Sequence, residues 1–196
     1  MPFAHLSSTD VGAEMTAVEI RRAVTDDAEL LTPFARRVFL DTFLADNDPA
    51  AIDAYVREAF TPEKQRAEIA FERGVCLLAF VDNTLAAWAL LRETEPVPPD
   101  CAIAAAQPMQ LNRFYVDHAW HGRGVAVALM NAVKSRAAIS GADALWLTTW
   151  ERNARAIRFY EREGFVLVGE TTFVLGDEVQ RDVVMCVPIT PVQPTV

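Results

Sequence analysis

A chain of 196 residues with 52% hydrophobic and 23% charged residues has the material for one well-buried soluble domain. Its net charge of −9 argues against a nucleic-acid backbone as main partner, which calls for clustered lysine and arginine, and leaves room for a cationic small molecule. No apolar run approaches the roughly 20 residues that span a bilayer, the opening MPFAHLSSTDVGAEM carries no basic leader or continuous apolar segment, and the scattered Cys76, Cys101 and Cys186 form no CxxC, so a cytoplasmic protein with reduced thiols is expected.

In chain order, residues 1–17 lack any periodic pattern and read as a flexible tail. Val18 to Ala23 alternates apolar and polar as a half-buried strand does. Asp26 and Asp27 then precede Leu30, Leu31, Phe34, Val38 and Phe39 at helical spacing, with Pro33 inside the early turns. Asp48-Pro49 opens a second helix through Ile52, Tyr55 and Val56, and Thr61-Pro62 a third running to about Glu72. Val75 to Val81 is a continuous apolar run, hence a strand covered on both faces. Asp82-Asn83 turns it into a partner strand over Leu85 to Leu91. Thr94 to Gln107 carries three prolines and reads as a loop near one end of the sheet, where substrate specificity commonly resides. Later come a strand over Ala144 to Trp150, a helix capped by Asn153 and closed by Gly164, and two strands, Phe165 to Val174 and Val179 to Ile189, around Gly176-Asp177. Residues 191–196 form a short C-terminal tail. Trp88, Trp146 and Trp150 read as core or pocket walls.

The stretch from Leu111 to Met130 organises the rest. An apolar strand, Leu111 to Val116, runs into a polar turn with His118 and His121, then into Gly122 and Gly124 at the head of a small-residue helix that closes near Ser140-Gly141. Glycine there permits a positive φ or the close approach of a ligand, and a helix N-terminus offers unpaired N–H groups to an anion. A phosphate-binding loop and a mere packing device both remain open. A Walker loop is excluded, because Val125-Ala126 follows Gly124 where Lys and Ser or Thr are required. A dinucleotide GxGxxG fails at Val127. His118 and His121 have no third metal ligand nearby, so no metal is expected.

Three spaced motifs carry a resemblance. HGRGVA (His121 to Ala126) resembles the Gln/Arg-x-x-Gly-x-Gly/Ala signature of the GCN5-related N-acetyltransferases (GNAT). The preceding RFYV (Arg113 to Val116) and the segment Asn153 to Phe165 are similar to that family's strand and final helix. Gly169 to Asp182 further resembles the bacterial spermidine/spermine acetyltransferase-like branch. Together the likeness spans about residues 18 to 189. Two departures stand out: His121 where the family usually has Gln or Arg, and Arg181 where the branch usually has Thr.

The resemblance implies a single α/β domain of α+β type over residues 18–190: a mixed, mostly antiparallel sheet flanked by helices, with two splayed parallel strands, Leu111–Val116 and Ala144–Trp150. It implies acetyl transfer from acetyl-CoA to a primary amine (a polyamine, another small amine or a peptide amine) by direct attack, with no nucleic acid or membrane partner and room for a homodimer. The backbone of Gly122, Gly124, Val125 and Ala126, with His121 and Arg123, would hold the pyrophosphate. The strand edge at Tyr115, Val116 and Asp117 would pair with the pantetheine arm, an N–H near Val116 freed by a bulge would polarise the thioester carbonyl, and Asn153 would add a hydrogen bond. Tyr160, seven residues from Asn153 and so on the same helix face, is the implied general acid. Asp117, Glu151 and Glu93 are the candidate bases. A silent acyl-CoA-binding module and a purely structural domain are the competing readings.

Overall fold

The computed structural model describes residues 17–93 and 96–192, so most of both expected tails, residues 1–16 and 193–196, lies outside the described residues. Strand β1 (Glu19–Arg22) turns through a short 3-10 segment into α1 (Ala28–Phe43). Arg21 fixes that corner with hydrogen bonds of 2.7 and 2.6 Å to Asp27, whose carboxylate also accepts from the Val24 N–H at 2.8 Å. Helix α1 continues through Pro33 without a break. Helices α2 (Pro49–Ala59) and α3 (Pro62–Ala70) each start on a proline, whose missing N–H costs nothing in a first turn. Each has a side-chain cap, Asp48 accepting from Ala51 N–H at 3.0 Å and Thr61 from Lys64 N–H at 3.2 Å. Helix α3 stops two residues before the expected Glu72.

Strands β2 (Gly74–Val81) and β3 (Thr84–Arg92) form the expected hairpin, turned by Asp82 and Asn83 at φ 47° and 59°, the left-handed pair that a tight hairpin needs. After β4 (Pro108–Val116) come α4 (Val125–Ile139), β5 (Ala144–Trp150), α5 (Ala154–Arg162), β6 (Val166–Leu175) and β7 (Glu178–Pro188). The seven strands make one sheet in the order β1-β2-β3-β4-β5-β7-β6, antiparallel everywhere except β4 against β5. This is the mixed sheet expected, flanked by five helices among the described residues.

The core divides at the sheet. Leu129, Met130 and Val133 of α4 and Tyr160 of α5 pack with Leu91, Leu111 and Leu145 on one face. Leu31 and Val38 of α1, Ile52 of α2 and Ile69 of α3 pack with Leu78, Trp88 and Leu90 on the other. The described part of the proline-rich loop lies flat on the sheet: Val97, Cys101 and Ile103 cover Trp146, Val184 and Cys186. Ala102 N–H reaches the Val168 carbonyl at 2.9 Å, and a Cβ on Gly169 would stand 2.5 Å from the Cys101 sulfur. Glycine at 169 is what lets the loop come so close.

Two irregularities shape the middle of the sheet. Strands β4 and β5 pair only through Pro108–Gln110 and Ala144–Trp146, then part. The paired residues precede Leu111, where hydrophobicity alone placed the strand's start; Pro108 is tolerated because it opens the strand. The second irregularity is a bulge. Leu91 pairs with Leu111 but Leu90 with Arg113, which leaves Asn112 as an extra residue. The expected bulge near Val116 is thus found four residues earlier. It reverses the alternation of side chains. Met109 and Leu111 before it, and Phe114 and Val116 after it, all face α4 and α5, whereas Arg113 and Tyr115 face the first three helices.

Candidate active site

Where β4 and β5 part, a cavity of about 330 Å³ passes between the two faces of the sheet. Phe114, Val116, His121, Gly122, Asn153 and Tyr160 line it on the α4/α5 side, and Phe39, Phe43, Tyr55, Phe173, Gln180 and Asp182 on the other. No described residue of the loop 96–107 lines it. The expectation that this loop shapes the site is corrected: its apolar residues are used against Trp146 and Cys186.

At one end is the glycine turn. Gly122 and Gly124 hold φ of 74° and 83°, which other residues rarely adopt. A Cβ on either would meet nothing within 4 Å. The glycines are therefore not there for tight strand–helix packing, and the space above them is open. No side chain caps α4, so its first-turn N–H groups face that space. Arg123 lies over the Trp120 ring at 5.5 Å, at the rim of the turn.

His121 joins the turn to the strand. Its Nδ1 accepts from Arg155 at 2.7 Å, so the proton sits on Nε2, which donates to the Val116 carbonyl at 3.0 Å. Burial and the Arg155 charge lower its pKa and hold the ring neutral. The strand edge follows from one hydrogen bond. Asp117 N–H donates to Ala86 O at 2.9 Å, and in an antiparallel pair alternate residues then turn their main-chain groups the same way. Asp117 and Tyr115 are directed at β3; Phe114 and Val116 are directed at the gap. Of the three edge residues named from the sequence, only Val116 turns its main-chain groups to the gap, as Phe114 also does; those of Tyr115 and Asp117 turn to β3, although the Tyr115 side chain lines the cavity.

Helix α5 borders the gap. Asn153 Oδ1 accepts from Ala156 N–H at 3.1 Å and caps the helix, leaving its amide group toward the cavity it lines. Tyr160, two turns on, is 7% exposed and lines the same cavity. Burial pushes its hydroxyl well above the ordinary phenol value, so it stays protonated at neutral pH. Phe114, Phe159 and Phe165 surround its ring at centroid distances of 6.2, 5.6 and 5.6 Å.

A family model described as acetyltransferase (GNAT) family matches residues 40–165. The chain belongs to the GNAT family. It is 27% identical over 172 residues to an uncharacterized N-acetyltransferase from the pepI 3′ region of Lactobacillus delbrueckii subsp. lactis, covering 86% of this chain and 95% of that one. A shorter likeness, 33% over 64 residues, covers 32% of this chain and 42% of the spermine/spermidine N(1)-acetyltransferase of Bacillus subtilis. Among solved structures, the PaiA N-acetyltransferase of Thermoplasma acidophilum, crystallised with coenzyme A, shares the fold. Its TM-score is 0.70 at 21% identity, over 88% of this chain and 99% of that one. The protein is an acetyl-CoA-dependent acetyltransferase.

In this GNAT domain the three carboxylates first considered as bases are all occupied elsewhere. Asp117 accepts from Arg37 at 2.6 Å and from Ala119 N–H at 2.9 Å. Burial opposes its charge, but these partners outweigh it and hold its pKa low. Glu151 is bound by Arg181 at 2.5 Å. Glu93 lies past the far end of β3, 3.6 Å from Arg73. None of the three lines the cavity. Arg181, the departure from the branch pattern, is spent on Glu151 and Glu170 and also stays outside it.

Lining residues that escaped sequence reasoning include Arg155, Arg162 and Asp182. Arg155 and Arg162 stand seven apart on α5 and line the cavity beside Asn153 and Tyr160; the helical spacing was available as a signal. Asp182 closes the Gly169 to Asp182 segment that carries the branch likeness, but its place in the cavity depends on which strand lies beside β7 and could not be read from spacing. Among the described residues no group of three or more His, Cys, Asp or Glu is placed to hold a metal, and no helix is long and apolar enough to cross a membrane.

Proposed function

We propose that this transferase domain, residues 18–190, moves an acetyl group from acetyl-CoA to a primary amine by direct attack within a ternary complex. The observation that carries this reading is one continuous cavity lined by an open glycine turn, an outward-facing strand edge and a buried, protonated tyrosine. In this reading the N–H groups from Gly122 to Ala126 clasp the pyrophosphate, with Arg123 and Arg155 adding positive charge. The pantetheine arm enters the gap and bonds to the main chain of Phe114 and Val116 as an added strand would. His121 must then share or release the Val116 carbonyl, which is the consequence of having histidine at this position. Asn153 offers its amide to the arm.

The amine nitrogen attacks the thioester carbonyl, whose oxygen takes up negative charge near the Val116 N–H. Tyr160 gives its proton to the departing thiolate and regains one from the attacking nitrogen. A small or polyamine acceptor fits the acidic chain and the partial likeness to a spermine/spermidine acetyltransferase. A reducing, cytoplasmic setting fits three free cysteines, two of them buried.

The test is Tyr160→Phe, assayed by thiol release with a panel of primary amines and by direct titration with acetyl-CoA. Turnover should fall about 10²–10⁴-fold while the acetyl-CoA dissociation constant stays within about twofold. Unchanged turnover would remove Tyr160 from the mechanism.

A further inference from the structure

Across the sheet from Tyr160 lies a buried carboxylate with no cation beside it. Asp182 on β7 is 9% exposed and lines the cavity. Its register partners are Trp150 on β5 and Thr171 on β6, and the nearby Thr148 side chain only partly offsets the cost of its burial. Among the described residues no lysine, arginine or histidine forms an ion pair with it. Arg181, next in sequence, points to the other face and is held by Glu151 and Glu170. Burial pushes the Asp182 carboxyl up to about 6.

The walls around it are aromatic. Phe39 stacks on Tyr55 at 4.9 Å and touches Phe43 at 4.7 Å; Phe173 meets Tyr55 edge-on at 5.5 Å, and Phe43 reaches Trp150 at 6.4 Å. A carboxylate in such surroundings is costly to keep ionised unless a cation joins it, and ring faces attract that cation. Two other lining groups are already engaged. Gln180 donates to Asn47, and Arg113 is directed at the Tyr55 hydroxyl (3.2 Å), the Phe60 ring (5.0 Å) and Glu68 (3.8 Å). The titratable groups facing this chamber are thus Tyr55 on α2, Arg113 and Tyr115 on β4, and Asp182 itself; His121, Arg155, Tyr160 and Arg162 face the cofactor side.

We propose that Asp182 is the acceptor-side catalytic residue: it pairs with the ammonium of a primary alkyl- or arylalkyl-amine seated among these rings and takes its first proton. The proposal rests on the transferase reading above and names the acceptor class for that same site. The protons balance. The ammonium passes one proton to Asp182, and the free amine forms the C–N bond as the C–S bond breaks. Its second proton replaces the one Tyr160 gives to sulfur, and Asp182 returns its proton to solvent. Acetyl-CoA and the ammonium become the amide, free thiol and one released proton.

Two amines separate this role from a structural one. At pH 7.5 phenethylamine is almost wholly charged, whereas 2,2,2-trifluoroethylamine is almost wholly neutral and needs no base for its first proton. With the full chain and saturating acetyl-CoA, Asp182→Asn should lower kcat/KM for phenethylamine by about 100-fold or more but for trifluoroethylamine by less than about fivefold. Acetyl-CoA affinity should not change, and Asp182→Ser, smaller and free of any clash, should behave alike. Equal losses with both amines, or a loss under about threefold with phenethylamine, would overturn the proposal. If wild type transfers and Asp182→Asn matches it, only the Asp182 assignment fails; if wild type releases no thiol with either amine, the acceptor class named here fails with it, whereas the Tyr160→Phe result on a wider amine panel judges the transferase reading separately.

Discussion

At the scale of single residues, the carboxylate that serves the acceptor also weakens the fold. Burial raises Asp182 from the ordinary 3.8 to about 6. Between those values the native chain binds more protons than the unfolded one, so stability falls as pH rises through the window. The contribution is present below about pH 4 and gone above the native pKa, where the ionised group costs up to about 3 kcal/mol. Asp182→Asn should therefore melt about 5 °C higher than wild type at pH 8 and coincide with it near pH 4. A thermal melt at both values checks this; identical melting at pH 8 would mean the carboxylate is not strained. Asp27 and Asp117 act with the opposite sign, since Arg21 and Arg37 hold them low. The difference between variant and wild type cancels their effect. Sequence could show Tyr160 and Asn153, because a seven-residue spacing is a statement about one helix. It marked Asp182 only as the end of a branch-like segment; the burial of its carboxylate was hidden, because its surroundings come from β4, β5 and α1 together.

At the scale of elements, Asn112 is the hinge of the site. By adding one residue to β4 it places Phe114 and Val116 on the α4/α5 side and Arg113 and Tyr115 on the side of the first three helices, the proposed cofactor and acceptor sides. Deleting it restores strict alternation and turns one of these sets the wrong way, burying the Arg113 guanidinium under α4 or expelling Met109 and Leu111 from their core. The deletion should lower the melting temperature by more than about 10 °C or prevent folding, while Asn112→Ala, which keeps the residue count, should change it by less than about 2 °C. Melting curves of the two variants decide it, and a deletion as stable as the substitution would contradict the role given to the bulge. The caps at Asp48, Thr61 and Asn153 and the Asp82-Asn83 turn were legible because each is a local pairing of residue type with backbone geometry. The bulge was not, since an extra residue shows only against its partner strand. The proline-rich loop misled for the same reason: its apolar residues mark a surface it covers, and that surface belongs to β5 and β7.

At the scale of the whole molecule, the sheet divides the cavity into two chambers, and the parted strands join them; the proposed function gives one chamber to each reactant. Antiparallel pairing on both flanks holds β4 through β3 and β5 through β7, so the gap between them can stay open without unravelling either strand. Periodicity in the sequence gives the strands but not this order; parallel pairing of β4 with β5 came from the likeness of three motifs to a family. The claim on which everything depends is that the gap receives the thioester arm while the glycine turn receives the diphosphate. A crystal structure of the protein with coenzyme A measures this most directly. The account predicts the pyrophosphate on the N–H groups of residues 122–126, the arm bonded to the main chain of Phe114 and Val116, and the sulfur beside the Tyr160 hydroxyl. Coenzyme A bound away from the gap between β4 and β5 would contradict it.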